Sequence, residues 1–191
     1  MIRQSALSRL VRFLRSSSGI AAIEFAFIAP VMILLFFGVV EGSNAFSVSR
    51  RVSLAVNTLA DLTSQETQLT ADQAGDLFTG VEQIVGQGDI AADIAIVSLI
   101  FDPDTDTVVV HWSRDNAGGQ PYAPGTEYDG LTDATLLDES SSLIVGEISY
   151  TYESALTRHL LSPIDFEKSA SRWPRRSARV QFCTSPGVCT S

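Results

Sequence analysis

Ile20 to Val40 is an unbroken apolar run of 21 residues with one charge in it, Glu24. As a helix rising about 1.5 Å per residue, it matches the roughly 30 Å hydrocarbon core of a bilayer. Arg3, Arg9, Arg12 and Arg15 precede it with no acid among them, and Arg50 and Arg51 follow it. Cationic flanks stay on the cytoplasmic side, so four arginines against two predict a single pass with the N-terminus inside and the C-terminus outside.

Three processing routes fit a run of this kind. A cleaved secretory signal normally has an apolar region of about 7 to 15 residues. This run is longer, although Ser43 and Ala45 offer a small-residue cleavage site ahead of Phe46. An uncut signal anchor is the second route. Neither accounts for Glu24, because a carboxylate inside a membrane helix costs up to ~3 kcal/mol at the centre, less near the end, and marks function by default. The third route is a cut between Gly19 and Ile20. It would create a positive α-amine on Ile20, unfavourable against the positive end of the helix dipole. Glu24 lies one turn away and would offset that charge in its own chain or in a neighbour.

Gly19, four apolar residues, Glu24, Phe25, Pro30, then Gly38 and Glu41 follow an arginine-rich leader and three serines. This pattern resembles the type IV prepilins. In detail it is similar to the TadE-like proteins of the tight-adherence (Tad/Flp, type IVb) pilus system. The resemblance covers about residues 14–50. The family often carries an arginine soon after the acidic residue, where this chain has Gly42-Ser43-Asn44. The resemblance implies a minor pilin-like (pseudopilin) component, cut after Gly19 by a membrane prepilin peptidase. The catalysis is the peptidase's; the chain itself is expected to be no enzyme and to need no cofactor. Implied partners are that peptidase, other pilins or pseudopilins, the pilus assembly platform and inner-membrane lipid. The implied location is the bacterial inner membrane, with the C-terminal domain in the periplasm or associated with the pilus.

Beyond the span, Val48, Val52, Val56, Leu59 and Leu62 recur at helical spacing among polar residues. A helix from Ile20 to about Thr63 would be roughly 65 Å long, with an apolar stripe on its outer half that must pack on something. The expected division is a basic leader over 1–19, a transmembrane helix over 20–41, an amphipathic extension over 42–69 and a domain over 70–191. Thr70-Ala71-Asp72-Gln73 is a capping-box sequence. It predicts a second helix with Leu77, Val81, Ile84 and Val85 on one face, stopped by Gly86 and Gly88. Strands are expected at "DIAIVSLIFDP" and "DTVVVHWS" around a turn at Asp102–Asp106, at "SLIVGEISYTYES" with a possible bulge at Gly146, and at "SARVQFCTS". The sum is an α+β, pilin-like fold: helices on one face of a four-stranded, mostly antiparallel sheet.

Charge and motif content narrow the function classes. The net charge is -9, and the acids lie mainly between Val52 and Glu167, where Arg114 and Arg158 are the only cations. Such a body repels phosphates and excludes nucleic acid as a partner. The segment "KSASRWPRR" is basic and is expected to pair with acids of its own domain or of a neighbouring subunit, with nucleic acid or lipid headgroups as the alternative. Cys183 and Cys189 flank a Pro186-Gly187 turn, which suits a disulfide in an oxidising compartment; the alternatives are two free thiols or half of a metal site, for which partners are lacking. Asp102, Asp104 and Asp106 open like a calcium loop but lack its later glycine and glutamate, so no metal site is expected. Asp138-Glu139-Ser140-Ser141-Ser142 matches an Asp-x-Ser-x-Ser metal motif without the strand and helix that motif needs. His111 and His159 are isolated from any catalytic pattern. The 114–133 segment is a long Gly/Pro/Asp-rich loop, whose Tyr122 and Tyr128 lie either on the domain's own surface or at a partner. The reading opposed to the pilin-like one is a signal-anchored periplasmic domain with an unrecognised hydrolase or ligand site.

Overall fold

The computed structural model describes residues 19–86, 92–131, 137, 140–154, 162–185 and 187–189. The arginine leader, Gly88, Asp138, Glu139, His159 and Pro186 lie outside the described residues. Helix α1 runs over Ile20–Ser64 with Pro30 inside it, ending one residue past the expected Thr63. The chain divides into two compact units between Asn44 and Ala45. In the first unit, α1 exposes large apolar side chains on every side; Phe27 is 76% exposed and Leu34 68%.

In the second unit the same helix is amphipathic. Val48, Val52, Val56, Leu59 and Thr63 are buried, whereas Arg50, Arg51 and Leu54 face outward. After α1 come β1 (Gln68–Thr70), α2 (Ala71–Val85), β2 (Asp93–Asp102), β3 (Thr107–Asp115), β4 (Ser142–Tyr152), β5 (Ile164–Arg172), β6 (Gln181–Ser185) and β7 (Val188–Cys189). The capping box forms as expected. Thr70 Oγ1 accepts from the Gln73 amide at 3.3 Å, and Gln73 Oε1 accepts from the Thr70 amide at 2.9 Å. Helix α2 buries Ala74, Phe78, Val81 and Val85, with Leu77 and Ile84 on the flanks.

The main sheet has order β3-β2-β4-β5, antiparallel throughout. One face carries Ile94, Ile96, Ile144 and Ile148 and packs with Val52, Val56 and Leu59 of α1 and Phe78 and Val81 of α2. The other face carries Val97, Leu99, Val108, Val110, Leu143 and Val145. The α+β class is as expected, but the fourth strand is not. It is "IDFEKSASR", an exposed edge strand. The "QFCTS" strand pairs instead with β1, in parallel, forming a second small sheet β1-β6-β7. Gly146 is not a bulge either: it sits in regular register between Ile96 and Ala170. The irregularity is on β3, where Val110 opposes Leu99 and Trp112 opposes Ser98, leaving His111 as the extra residue. That one-residue insertion keeps Val108 and Val110 on the outer face and turns Trp112 to the helix face. There Trp112 Nε1 donates to the Val180 carbonyl at 2.8 Å, and its ring lies 5.5 Å from that of Phe182.

Gly146 serves helix docking. A Cβ at this position would lie 3.3 Å from the Val56 carbonyl oxygen and 3.4 Å from Leu59 Cδ2. Gly75 in α2 has nothing within 4 Å of the same point. Gly146→Val is therefore expected to destabilise the C-terminal unit by about 1–3 kcal/mol through overpacking. Gly75→Ala should stabilise it by about 0.5–1 kcal/mol through helix propensity. Thermal and denaturant unfolding of the full chain in detergent measures both; equal responses would show that the contact at Gly146 is not limiting.

Candidate functional site

Two features outside the core carry candidate chemistry, and the first is the start of α1. Gly19 immediately precedes the helix, Ile20 begins it, and Glu24 lies one turn further on, exposed among Ile20, Ile23, Phe25 and Ile28. A core helix would bury such residues, yet Phe25 is 71% exposed. Helix α1 is the one described helix long and apolar enough to cross a membrane. The side chain of Glu24 is a lone acid on that surface; the next, Glu41, is half-buried and follows the apolar run.

The second feature is a cleft of about 690 Å³ on the outer side of the sheet, where Asp93 of β2, Glu147 of β4 and Glu167 of β5 meet the loop after β3. Strand alternation places it here. Ile94 and Ile148 point to the helices, so their neighbours Asp93, Glu147 and Ser149 point away. The loop is held over this face. Its residues pair with the free edge of β3, the Val110 amide donating to the Thr126 carbonyl at 2.9 Å and the Tyr128 amide to Val108 at 3.0 Å. Tyr122 O–H donates to Glu147 Oε2 at 3.0 Å, Tyr128 O–H donates to Glu147 Oε1, and the two rings meet edge to face at 5.5 Å. Burial, and then the Glu147 carboxylate, raise both phenols above their ordinary range. The tyrosines are thus anchors of the loop on its own domain.

The basic C-terminal segment grips α1 from the helix side. Arg172 Nη2 donates to Asn57 Oδ1 at 2.7 Å, Arg175 Nη2 pairs with Asp61 Oδ1 at 2.5 Å, and the Arg175 amide donates to the Ser64 carbonyl at 2.8 Å. The last of these satisfies a carbonyl that a helix C-terminus leaves open. Trp173 and Arg176 remain exposed. Further on, Cys183 and Cys189 face each other across β6 and β7 and are joined as a disulfide. His111 has its pKa lowered, first by burial and then by Arg179, and is a neutral bulge residue. Asp102 Oδ1 accepts from the Asp104 amide at 3.0 Å, a local turn contact.

Comparison with known proteins locates one similarity. Residues 19–61 match the family model described as TadE-like protein, the same stretch that carries Gly19, Ile20, Glu24 and the outer half of α1. No curated protein and no solved structure matches the chain.

The Tyr122–Glu147–Tyr128 contact gives a pH prediction. A free tyrosine ionises near pH ~10; both of these are raised in the folded state, so above that pH the folded protein binds more protons than the unfolded chain. Stability contributed by the contact is full below pH ~10 and falls as pH rises beyond it. Phenolate absorbance should show a late-titrating component that Tyr122→Phe and Tyr128→Phe each diminish. Tyr128→Phe should also cost about 1–3 kcal/mol, because a partly buried carboxylate loses a donor.

Proposed function

We propose, from the premise that residues 19–61 are TadE-like, that this chain is a pseudopilin of the Tad (Flp, type IVb) pilus system: a minor pilin-like component needed for pilus assembly. The observation that carries the reading is the placement of a lone carboxylate, Glu24, one turn into an exposed apolar helix that begins directly after Gly19. On this reading a prepilin peptidase cuts between Gly19 and Ile20, and the basic leader stays cytoplasmic. The helix over 20–41 then holds the protein in the inner membrane with the rest in the periplasm, where the Cys183–Cys189 disulfide is stable. The chain is a substrate of the peptidase and a component of an assembly, not itself a catalyst. The free amine of Ile20, or of a neighbouring pilin, is the charge partner of Glu24. Pairing the two in lipid offsets the cost of burying either one.

Determination of the mature N-terminus by mass spectrometry, on protein from membranes with an active peptidase, tests the reading. Ile20 as first residue is expected. Phe46 would indicate an ordinary secretory signal, and Met1 an uncut anchor. Gly19→Val should leave the leader attached, since a β-branched side chain crowds the peptidase. Glu24→Ala should be inserted and cut at near wild-type levels while pilus counts drop sharply; normal piliation in that variant would remove Glu24 from its assigned role.

A further inference from the structure

We propose that the C-terminal unit self-associates head to tail, with the exposed Trp173–Arg176 ledge of one copy seated in the acidic cleft of the next. The cleft is lined by Asp93, Asp115, Glu147 and Glu167 against one cation, Lys168. Its volume of about 690 Å³ lies in the range of sites that enclose a bulky organic group. The aromatic wall supplied by Tyr122 and Tyr128 is fixed by the two hydrogen bonds to Glu147. A rigid, acidic, aromatic-walled cleft suits a flat apolar group with a cation beside it.

The same chain presents such a group. Trp173 is 44% exposed, and Arg176 is exposed with no acidic partner among the described residues. Between them, Arg175 is fastened to Asp61 and Ser64 at the end of α1, so the ledge is held in place and little freedom is lost on docking. Tryptophan and arginine are the residue types that dominate interface energies. The ledge is anchored to α1, on the helix side of the sheet, whereas Glu147 and Ser149 line the opposite face. A chain therefore cannot fill its own cleft, and the occupant is a second copy. Because ledge and cleft are different surfaces, the contact is heterologous and propagates beyond a dimer, into open chains or closed rings. It rests on the assembly reading for its biological setting only; its chemistry stands on the C-terminal unit alone.

The test uses the full chain in excess detergent, with mass measured by sedimentation equilibrium over a range of concentrations. Wild-type protein is expected to associate reversibly, and the association should weaken as salt is raised through about 0.05 to 0.5 M. Trp173→Ala, Arg176→Glu and Glu167→Lys should each weaken association by about tenfold or more while keeping wild-type melting curves, since all three side chains are exposed. Combining Arg176→Glu with Glu167→Lys should restore it. The decisive measurement mixes two defective proteins, Trp173→Ala with an intact cleft and Glu167→Lys with an intact ledge. They should form dimers and nothing longer. A monomeric wild type would overturn the proposal, as would association indifferent to these variants, or association lost instead in Arg50→Glu/Arg51→Glu. None of these outcomes bears on whether the peptidase cuts at Gly19, so the two proposals fail separately.

Discussion

The absence of a side chain at residue 146 fixes how the C-terminal unit is put together. A Cβ at that position would meet the Val56 carbonyl oxygen at 3.3 Å, tighter than ordinary contact, and the Ala60 amide at 3.5 Å. Ala55 and Ala60 are fully buried on the same helix. With small residues on both sides, the backbone of α1 comes down onto β4, and Val52 and Leu59 reach into the layer formed by Ile94, Ile96 and Ile148. Interiors of this density do not absorb an added methyl group without displacement. The helix that leads out of the apolar span is therefore part of the domain's core rather than a tether to it. Any force applied to the outer half of α1 is delivered to the sheet.

Docking the helices on one face leaves the other face of the sheet to be covered, and the loop after β3 does this. A four-stranded sheet with Val97, Leu99, Val108 and Val145 on its outer side would expose an apolar surface large enough to invite aggregation. Tyr128 and the residues around it cover the β2–β3 half, while over β4 and β5 the surface turns to Glu147, Ser149, Glu167 and Ser169. The loop edge also occupies the backbone of β3, and β5 guards the opposite edge with Asp165, Glu167 and Lys168. Charged residues on an edge strand discourage unplanned pairing. The cleft is what remains where the loop ends and the polar half begins.

How much of this was legible in the sequence follows from which elements have an apolar period. The α1 stripe from Val48 to Leu59, the Thr70–Gln73 cap and strands β2, β3 and β4 are legible because burial leaves a regular mark; Leu62, expected on the same stripe, is exposed and Thr63 is buried in its place. β5 did not. As an edge strand it buries little, and its alternation of Ile164, Phe166 and Ala170 is interrupted by Lys168, so it carries no apolar period. The imperfect alternation in β4 suggested a bulge at Gly146. In fact Leu143, Ile144, Val145 and Gly146 are all buried because the sheet is covered on both faces there. The true bulge lies at His111, where the run Val108 to Trp112 gives no hint that one residue is extra. The signal was present only as a conflict: Val108, Val110 and Trp112 share a parity, yet the tryptophan needs a buried acceptor and finds it at Val180 on the helix side. The cleft was invisible because its acids are distant in sequence and become neighbours only through register.

On the two proposals, the two units would recognise partners by different physics. On the apolar half of α1, lipid and another greasy helix are nearly equivalent, so hydrophobic surface cannot by itself fix where a neighbour sits. A single carboxylate changes that. Moving the helix along its axis by one turn would leave Glu24 facing hydrocarbon, at a cost that rises toward ~3 kcal/mol at the bilayer centre, whereas at the proposed depth it would meet an amine. On the proposed reading, one charge thus sets a register that twenty apolar residues cannot. Outside the membrane, in water, a lone exposed ion pair contributes about 0–1 kcal/mol and sets very little. Discrimination there calls for a shaped surface that excludes water around a bulky anchor, and a cleft walled by tyrosines supplies one.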